Sequence, residues 1–317
     1  MSKGFQVVSL GDLVMDVILR VPCLPVEADQ HQILHGTQME PGGAGNFLVA
    51  GARLGMQMDA LGVVGEDVFG RSLLDILQEE GVGVDGIQRQ PQGTTTTVFV
   101  LESDARQHVF LGQYGQGQVV ALAEDWQARL AAADAVQVWG YSMMEERLAE
   151  CVLQAAAFAR QQGRPVVFDP GPLFAAARPE QCQQLIANTT IVLLTEAELK
   201  VLGQHCPGAD DPQRLLQMGP ALVCVKHGQN GCVVHSKQGS FEQPGYPVPV
   251  VDTNAAGDSF MAAFVYGYLC GWPLAKTASF ANAMGAAKVQ KFGSGRQVPT
   301  VDELRQVLHQ FAVDVDF

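Results

Sequence analysis

The chain has 317 residues, 47% hydrophobic and 17% charged, which is enough to bury a sizeable core in one large α/β domain or two modest ones. Its formal net charge of −13 repels nucleic-acid backbones and anionic lipid, so neither nucleic acid nor a membrane is expected as a partner. An anionic ligand would have to meet a local positive field made by a bound cation and backbone N–H groups.

Residues 6–10 read as a buried strand ending at Gly11, and the stretch before Gly11 lacks the small-residue cleavage region of a signal peptide. Residues 16–40 alternate apolar and polar side chains, carry Pro22 and Pro25, and show no helical period. A helix pattern follows at 44–54, a strand at 59–64 and a second helix at 69–80. Residues 94–100 and 107–110 are β-branched and aromatic runs parted by a polar turn at Ser103-Asp104-Ala105, and are expected in a small second sheet. Strand patterns then recur at 135–139, 165–168, 190–194 and 221–225, with helix patterns at 145–162, 196–203, 256–270, 274–291 and 301–311. Repeated β–α alternation predicts a mainly parallel sheet with helices on both faces. No repeat, low-complexity tract or linker divides the chain. It is expected to be a single unit over 1–317, with a β-sheet lid built from about 16–40 and 94–112.

Seven cysteines at positions 23, 151, 182, 206, 224, 232 and 270 form no C-x-x-C pair. The odd count predicts reduced thiols in a cytoplasmic protein and argues against zinc. The longest apolar run, 260–269, is too short to span a bilayer. Asn188-Thr189-Thr190 fits a glycosylation acceptor, but the pattern is common by chance. Gly81-Val82-Gly83-Val84-Asp85-Gly86 matches G-x-G-x-x-G, yet a helix pattern precedes it where a dinucleotide fold needs a strand. Gly81 is better read as a left-handed residue just past a helix end. No G-x-x-x-x-G-K-[ST] occurs, which disfavours a P-loop protein.

The strongest signal is Val251-Asp252-Thr253-Asn254-Ala255-Ala256-Gly257-Asp258-Ser259-Phe260. A polar turn enters a helix whose packing face is Phe260, Ala263, Phe264 and Gly267. The small residues Ala255, Ala256 and Gly257 allow close approach to the helix start, where free N–H groups and the positive dipole end form an anion hole. Asp258 then stands beside a bound phosphate. The bland alternative is an ordinary capping Asp on a buried helix.

This string resembles the C-terminal signature of the ribokinase-like, or phosphofructokinase-B, carbohydrate kinases, D-T-x-[GA]-A-G-D. Gly42-Gly43-Ala44-Gly45-Asn46, Ala52-Arg53-Leu54-Gly55 and Leu61 to Gly70 are similar to the family's N-terminal signature, in the right order and far upstream. The resemblance covers nearly the whole chain and implies a three-layer αβα core with a small β-sheet lid.

It implies roles as well. Asp258 would be the general base, and the Ala255, Ala256 and Gly257 amides would stabilise the transferring phosphoryl group. Gly42, Gly43 and Asn46 match the sugar-binding turn, and Asp16, following Gly11-Asp12 at the end of the first strand, matches a sugar-binding carboxylate, with Asp12 nearby. Glu198 matches an element that organises water around Mg2+, although Thr195 stands where the family has Asn. Lys226, Gly228 and Gly231 look like the nucleotide-side turn, with Lys226 in place of the usual Thr, and Asn282 matches a residue of the adenine pocket. The implied cosubstrate is ATP with Mg2+. The resemblance further implies a K+ site at Asp252, Asn254 and the loop around Gly293. The expected reaction is phosphorylation of a hydroxyl on a small sugar or sugar acid, and a homodimer through the lid, on the apolar alternation at Val98 and Val100 and at Val109 and Leu111, is a further expectation. Ribose is disfavoured because Val14 stands where ribokinases carry Asn. A nucleoside kinase, with Phe99, Phe110 or Tyr114 over a base, and a non-catalytic sugar-binding relative stay open.

Overall fold

Strand β1 (Gln6–Leu10) runs through the middle of the molecule, with Val7 facing one apolar layer and Val8 and Leu10 the other. That alternation on a strand buried on both sides defines a sheet sandwiched between helices. The computed structural model describes residues 4–105, 107–116, 122–171, 178–313, 315 and 317.

After β1 the chain leaves the main sheet for two strands, β2 (Leu13–Val21) and β3 (Gly36–Gly43), then forms helix α1 (Ala44–Arg53). It returns through β4 (Gln57–Gly65), α2 (Val68–Glu79) and β5 (Ile87–Gln90), and leaves again for β6 (Thr96–Ser103) and β7 (His108–Gln113). The α/β alternation resumes with α3 (Glu124–Ala132), β8 (Ala135–Trp139), α4 (Glu146–Gln161), β9 (Val166–Asp169), α5 (Pro179–Ala187) and β10 (Ile191–Thr195). Then come α6 (Glu196–His205), α7 (Pro212–Met218), β11 (Leu222–Lys226) and the hairpin β12 (Cys232–Ser236) and β13 (Gly239–Gln243). Three helices close the fold: α8 (Ala256–Leu269), α9 (Leu274–Val289) and α10 (Val301–Gln310).

The main sheet has the order β13-β12-β11-β10-β9-β8-β1-β4-β5. It is parallel from β5 to β11 and antiparallel only at the β12 and β13 edge. Residues of α1, α2, α8, α9 and α10 pack in the core on one face, and residues of α3 to α7 on the other. This is the three-layer αβα fold expected from the alternation, with helices α3, α5 and α7 and the β12–β13 hairpin added to the sequence pattern. Gly81 has φ +78 directly after α2, the helix-end role expected of it.

The smaller sheet has the order β3-β2-β6-β7. It begins at Leu13, so Asp16 lies inside β2 and pairs with Glu40 and Val98, whereas the sequence pattern suggests a place at the end of β1. Cross-strand register also corrects the apolar face expected of this sheet. Phe99 opposes Leu111 and Leu101 opposes Val109 on one face, while Val100, opposite Phe110, is buried on the other.

Helix α8 is apolar nearly all round and buried from Ser259 to Gly267, packed on α9 and α1. A helix with no polar face belongs in the interior. Its burial fixes the direction in which its N-terminus, and Asp258, point.

Candidate active site

The site forms where the carboxyl ends of the parallel strands, the start of α8 and strand β2 converge. Ala255 caps α8 in the left-handed region, φ 59 and ψ 8. For a residue with a Cβ that conformation costs roughly 1–2 kcal/mol, so the surrounding loop must hold it. Asp252 does part of that holding: its Oδ1 accepts from the Asn254 N–H at 2.9 Å and its Oδ2 from the Gly293 N–H at 2.8 Å. The Ala256 N–H donates to the Thr253 carbonyl at 3.3 Å. Of the three amides expected in the anion hole, that one is engaged; among the described residues the N–H groups of Ala255, Gly257 and Asp258 have no backbone acceptor.

Asp258 lies half-buried in the first turn of α8, where its Oδ2 accepts from Asn46 Nδ2 at 2.9 Å. Asn46 Oδ1 in turn accepts from the Gly295 N–H at 2.6 Å, so both ends of this amide tie α1 to the C-terminal layer. Burial, reinforced by Asp169, pushes the Asp258 carboxyl up to about 7, against the lowering pull of Lys226 and the Asn46 hydrogen bond. Asp16 points to the same region from β2, with its Oδ2 accepting from Ser294 Oγ at 3.1 Å. Burial, with Glu40 adding to it, raises the Asp16 carboxyl to about 7. Gly42 is required beside it, since a Cβ there would overlap the Asp16 carboxylate. Gly43, φ 48, makes the turn from β3 into α1.

The opposite side carries positive charge. Lys226 ends β11, and its Nζ donates to Asp169 Oδ2 at 2.9 Å. That ammonium would stand 3.3 Å from a Cβ at Gly257, which places it beside the N-terminus of α8. Burial alone would lower it, but Asp169, Glu198 and Asp258 outweigh that and hold it above the ordinary lysine value. Glu198 is half-buried; its Oε2 accepts from the Thr195 N–H at 2.6 Å, while Thr195 Oγ1 accepts from the Glu198 N–H, closing a capping box on α6. Burial and Asp169 raise its carboxyl. Gly228 and Gly231 bound a short turn after β11, both with positive φ. Asn282 is engaged with protein backbone: its Nδ2 donates to the Gln243 and Pro244 carbonyls at 3.1 and 3.0 Å.

Asp12 follows β1, with Oδ1 accepting from Thr96 Oγ1 at 2.7 Å and its N–H donating to Ser142 Oγ at 2.9 Å. It lines a cleft with Thr94, Tyr114, Tyr141 and Glu145. Burial raises its carboxyl to about 6, with Glu145 adding to the effect. Sequence reasoning missed Asp169, although a carboxylate at the C-terminal end of a parallel strand is a usable signal. It also missed Tyr141, Glu145 and Lys288, which no local motif marks, and the contact of Ser294 with Asp16. Lys288 is completely buried near the end of α9, and its Nζ donates to the Lys291 carbonyl at 3.0 Å. From the smaller sheet, His108 Nε2 lies 3.3 Å from Glu102 Oε1 and 3.7 Å from Asp252 Oδ1.

A half-buried carboxylate, a helix N-terminus with a lysine beside it and a cleft lined by hydrogen-bonding side chains are parts that a phosphotransferase can use. Residues 5–301 match the pfkB family of carbohydrate kinases, and the chain belongs to that family. It is therefore a carbohydrate kinase, a phosphotransferase acting on sugars. An ATP-dependent ribose-1-phosphate kinase of Halopiger xanaduensis is 30% identical over 96% of this chain and 98% of its own length. A nucleoside kinase of Methanothermobacter thermautotrophicus is 24% identical over 96% of this chain and 95% of its own. A crystal structure of a putative ribokinase II from E. coli in complex with ATP and Mg2+ superposes with a TM-score of 0.80 at 23% identity, covering 96% of this chain and 99% of that one. Among the described residues no helix is long and apolar enough to cross a membrane.

Proposed function

We propose that the chain transfers the γ-phosphoryl group of ATP to a hydroxyl of a small sugar or sugar acid, with Asp258 as general base. The observation that carries this reading is the position of Asp258 between two surfaces of different chemistry. On one side stand Asn46, Asp16 and Gly42, a set of hydrogen-bonding groups suited to a diol. On the other stand Gly257 and the Lys226 ammonium, suited to phosphate oxygens.

In this reading Asp16 and Asn46 orient the sugar, and Asp258 takes the proton of the attacking hydroxyl. A carboxyl raised to about 7 suits that task near neutral pH. The free N–H groups of Gly257 and Asp258, with Lys226, receive the charge on the transferring phosphoryl group. The half-buried carboxylate of Glu198 and the buried one of Asp169 fit a hard divalent ion, and Mg2+ bound with ATP would supply charge neutralisation there. Glu198 would act through water, because one of its oxygens caps α6. The turn at Gly228 and Gly231 would flank the nucleotide, and Asn282 would shape the adenine side by fixing the loop at Gln243 and Pro244. The smaller sheet would act as a lid and as the contact of a homodimer, in a cytoplasmic enzyme. A nucleoside substrate is the second reading, favoured by Tyr114 and Tyr141 lining the cleft beyond Asp12.

The test is an ADP-release screen over sugars, sugar acids and nucleosides. ADP formation that depends on one of these acceptors is expected. Release that is the same with and without every acceptor would contradict the proposal.

A further inference from the structure

We propose that Lys288 is a built-in replacement for a monovalent cation behind the N-terminus of α8, so that this kinase works without potassium. The inference rests on the kinase reading above for its activity arm only.

The residues that resemblance assigns to a K+ ion are engaged with one another and with a lysine here. Two backbone segments meet at that place, 251–254 before α8 and 289–293 after α9. The N–H groups of Val251 and Asp252 donate to the Val289 carbonyl at 2.7 and 3.1 Å, and the Gly293 N–H donates to Asp252 Oδ2 at 2.8 Å. Each oxygen of Asp252 therefore already holds a backbone N–H. The Lys291 carbonyl, in the loop expected to ligate the ion, instead accepts from the Lys288 ammonium at 3.0 Å. Lys288 has no exposed surface, and a lysine buried to that degree needs negative partners. Burial lowers the Lys288 ammonium to about 8, with Lys291 adding to the effect, while the fields of Asp252, Asp258 and Glu102 oppose it and keep the group protonated at neutral pH.

A second cation would have to share this closed space with the ammonium, away from the screening of water. The ammonium itself does what a bound ion would do. It fixes a loop carbonyl, offsets Asp252 and places a positive charge behind the helix end that carries Gly257 and Asp258. Because it is covalently attached, it cannot be lost on dilution or ion exchange. Lys288 acts through the loop and the field, so it is a positioning residue.

The protein would be purified into tetramethylammonium salts. Thermal unfolding and ADP formation would then be followed with and without KCl at constant ionic strength. The wild type should show the same melting temperature and rate in both. Lys288→Ala, which vacates the space, should be slower by roughly tenfold or more without potassium. K+ or Rb+ should restore its rate and raise its melting temperature, and Li+ should do neither. Lys288→Gln keeps a donor for the Lys291 carbonyl without the charge; it should stay folded and slow, which separates loss of charge from loss of structure. A wild type whose rate or melting temperature rises specifically with K+ would overturn the proposal. So would a Lys288→Ala protein as active as wild type and indifferent to K+, or a Lys288→Gln protein with wild-type rate. Failure of every acceptor to be phosphorylated would instead sink the kinase reading, while the K+ dependence of unfolding would still decide the role of Lys288.

Discussion

Replacing Asp258 by Asn keeps the shape of the side chain and removes the proton acceptor. Asn46 Nδ2, which donates to Asp258 Oδ2 at 2.9 Å, can donate to an amide oxygen in the same place. Two effects of opposite sign follow. Catalysis should fall by roughly 10²–10⁴-fold, the usual contribution of a general base, while ATP still binds. Stability should rise. Burial, helped by Asp169, lifts the carboxyl from 3.8 to about 7 in the folded protein. A raised acid binds its proton more tightly folded than unfolded, so its contribution is most favourable below pH about 4 and is lost as pH climbs toward 7. Above 7 the ionised, half-buried carboxylate is a net cost of roughly 2–4 kcal/mol, which the substitution removes. Ligand-free Asp258→Asn should therefore melt higher than wild type at pH 8, with the gap closing as pH falls toward 4. The wild-type kcat/KM should rise with pH and level off above about 7 as the base ionises. Scanning calorimetry across pH and steady-state kinetics on the pair of proteins test all of this. Turnover within a few-fold of wild type, or a variant that melts lower at pH 8, would refute the reasoning.

Asp16→Ala should raise the sugar KM and lower kcat, for a loss of about 10- to 150-fold in kcat/KM, with ATP affinity nearly unchanged; lost ATP affinity at a wild-type sugar KM would show that the sugar side is misplaced. Gly42→Ala should produce the same pattern without removing a polar group, because the new Cβ displaces the Asp16 carboxylate, and unchanged sugar kinetics would argue against that contact. Lys226→Met should do the opposite, weakening ATP and slowing turnover while sugar binding persists, as read by titration calorimetry with each ligand. Leu111→Asp, at an exposed position opposite Phe99, should convert a dimer to a monomer in sedimentation velocity; a monomeric wild type at high concentration would rule out the dimer.

The parallel core was legible because its strands are short apolar runs between amphipathic stretches, and α8 because small residues precede an unbroken apolar helix. The motif residues Asp16, Gly42, Asn46, Asp252 and Asp258 do meet in space, joined by hydrogen bonds to Ser294, Gly295 and Gly293. Ser294 and Gly295 lie 278 and 249 residues away from Asp16 and Asn46 in the chain, a pairing no local spacing encodes. The strand that carries Asp16 was placed wrongly, since Gly11-Asp12 interrupts a continuous apolar pattern and only pairing with β3 and β6 shows that a different sheet has begun. Lys288 was invisible for a related reason. It sits one residue before the end of a helix, where a lysine ordinarily faces solvent and favours the helix dipole, and only the packed loops around it reveal a buried charge. Asn282 shows the converse: its position suggests a nucleotide contact, yet the amide is held by two carbonyls of its own chain.

The central claim is that phosphate passes from ATP to a hydroxyl of an organic acceptor. Phosphorus NMR of the protein with ATP, Mg2+ and the best acceptor from the release screen tests it most directly. A new phosphomonoester resonance should grow in step with ADP, and should fail to grow with Asp258→Asn. ADP accompanied only by inorganic phosphate, or a phosphomonoester formed equally well by Asp258→Asn, would contradict the account.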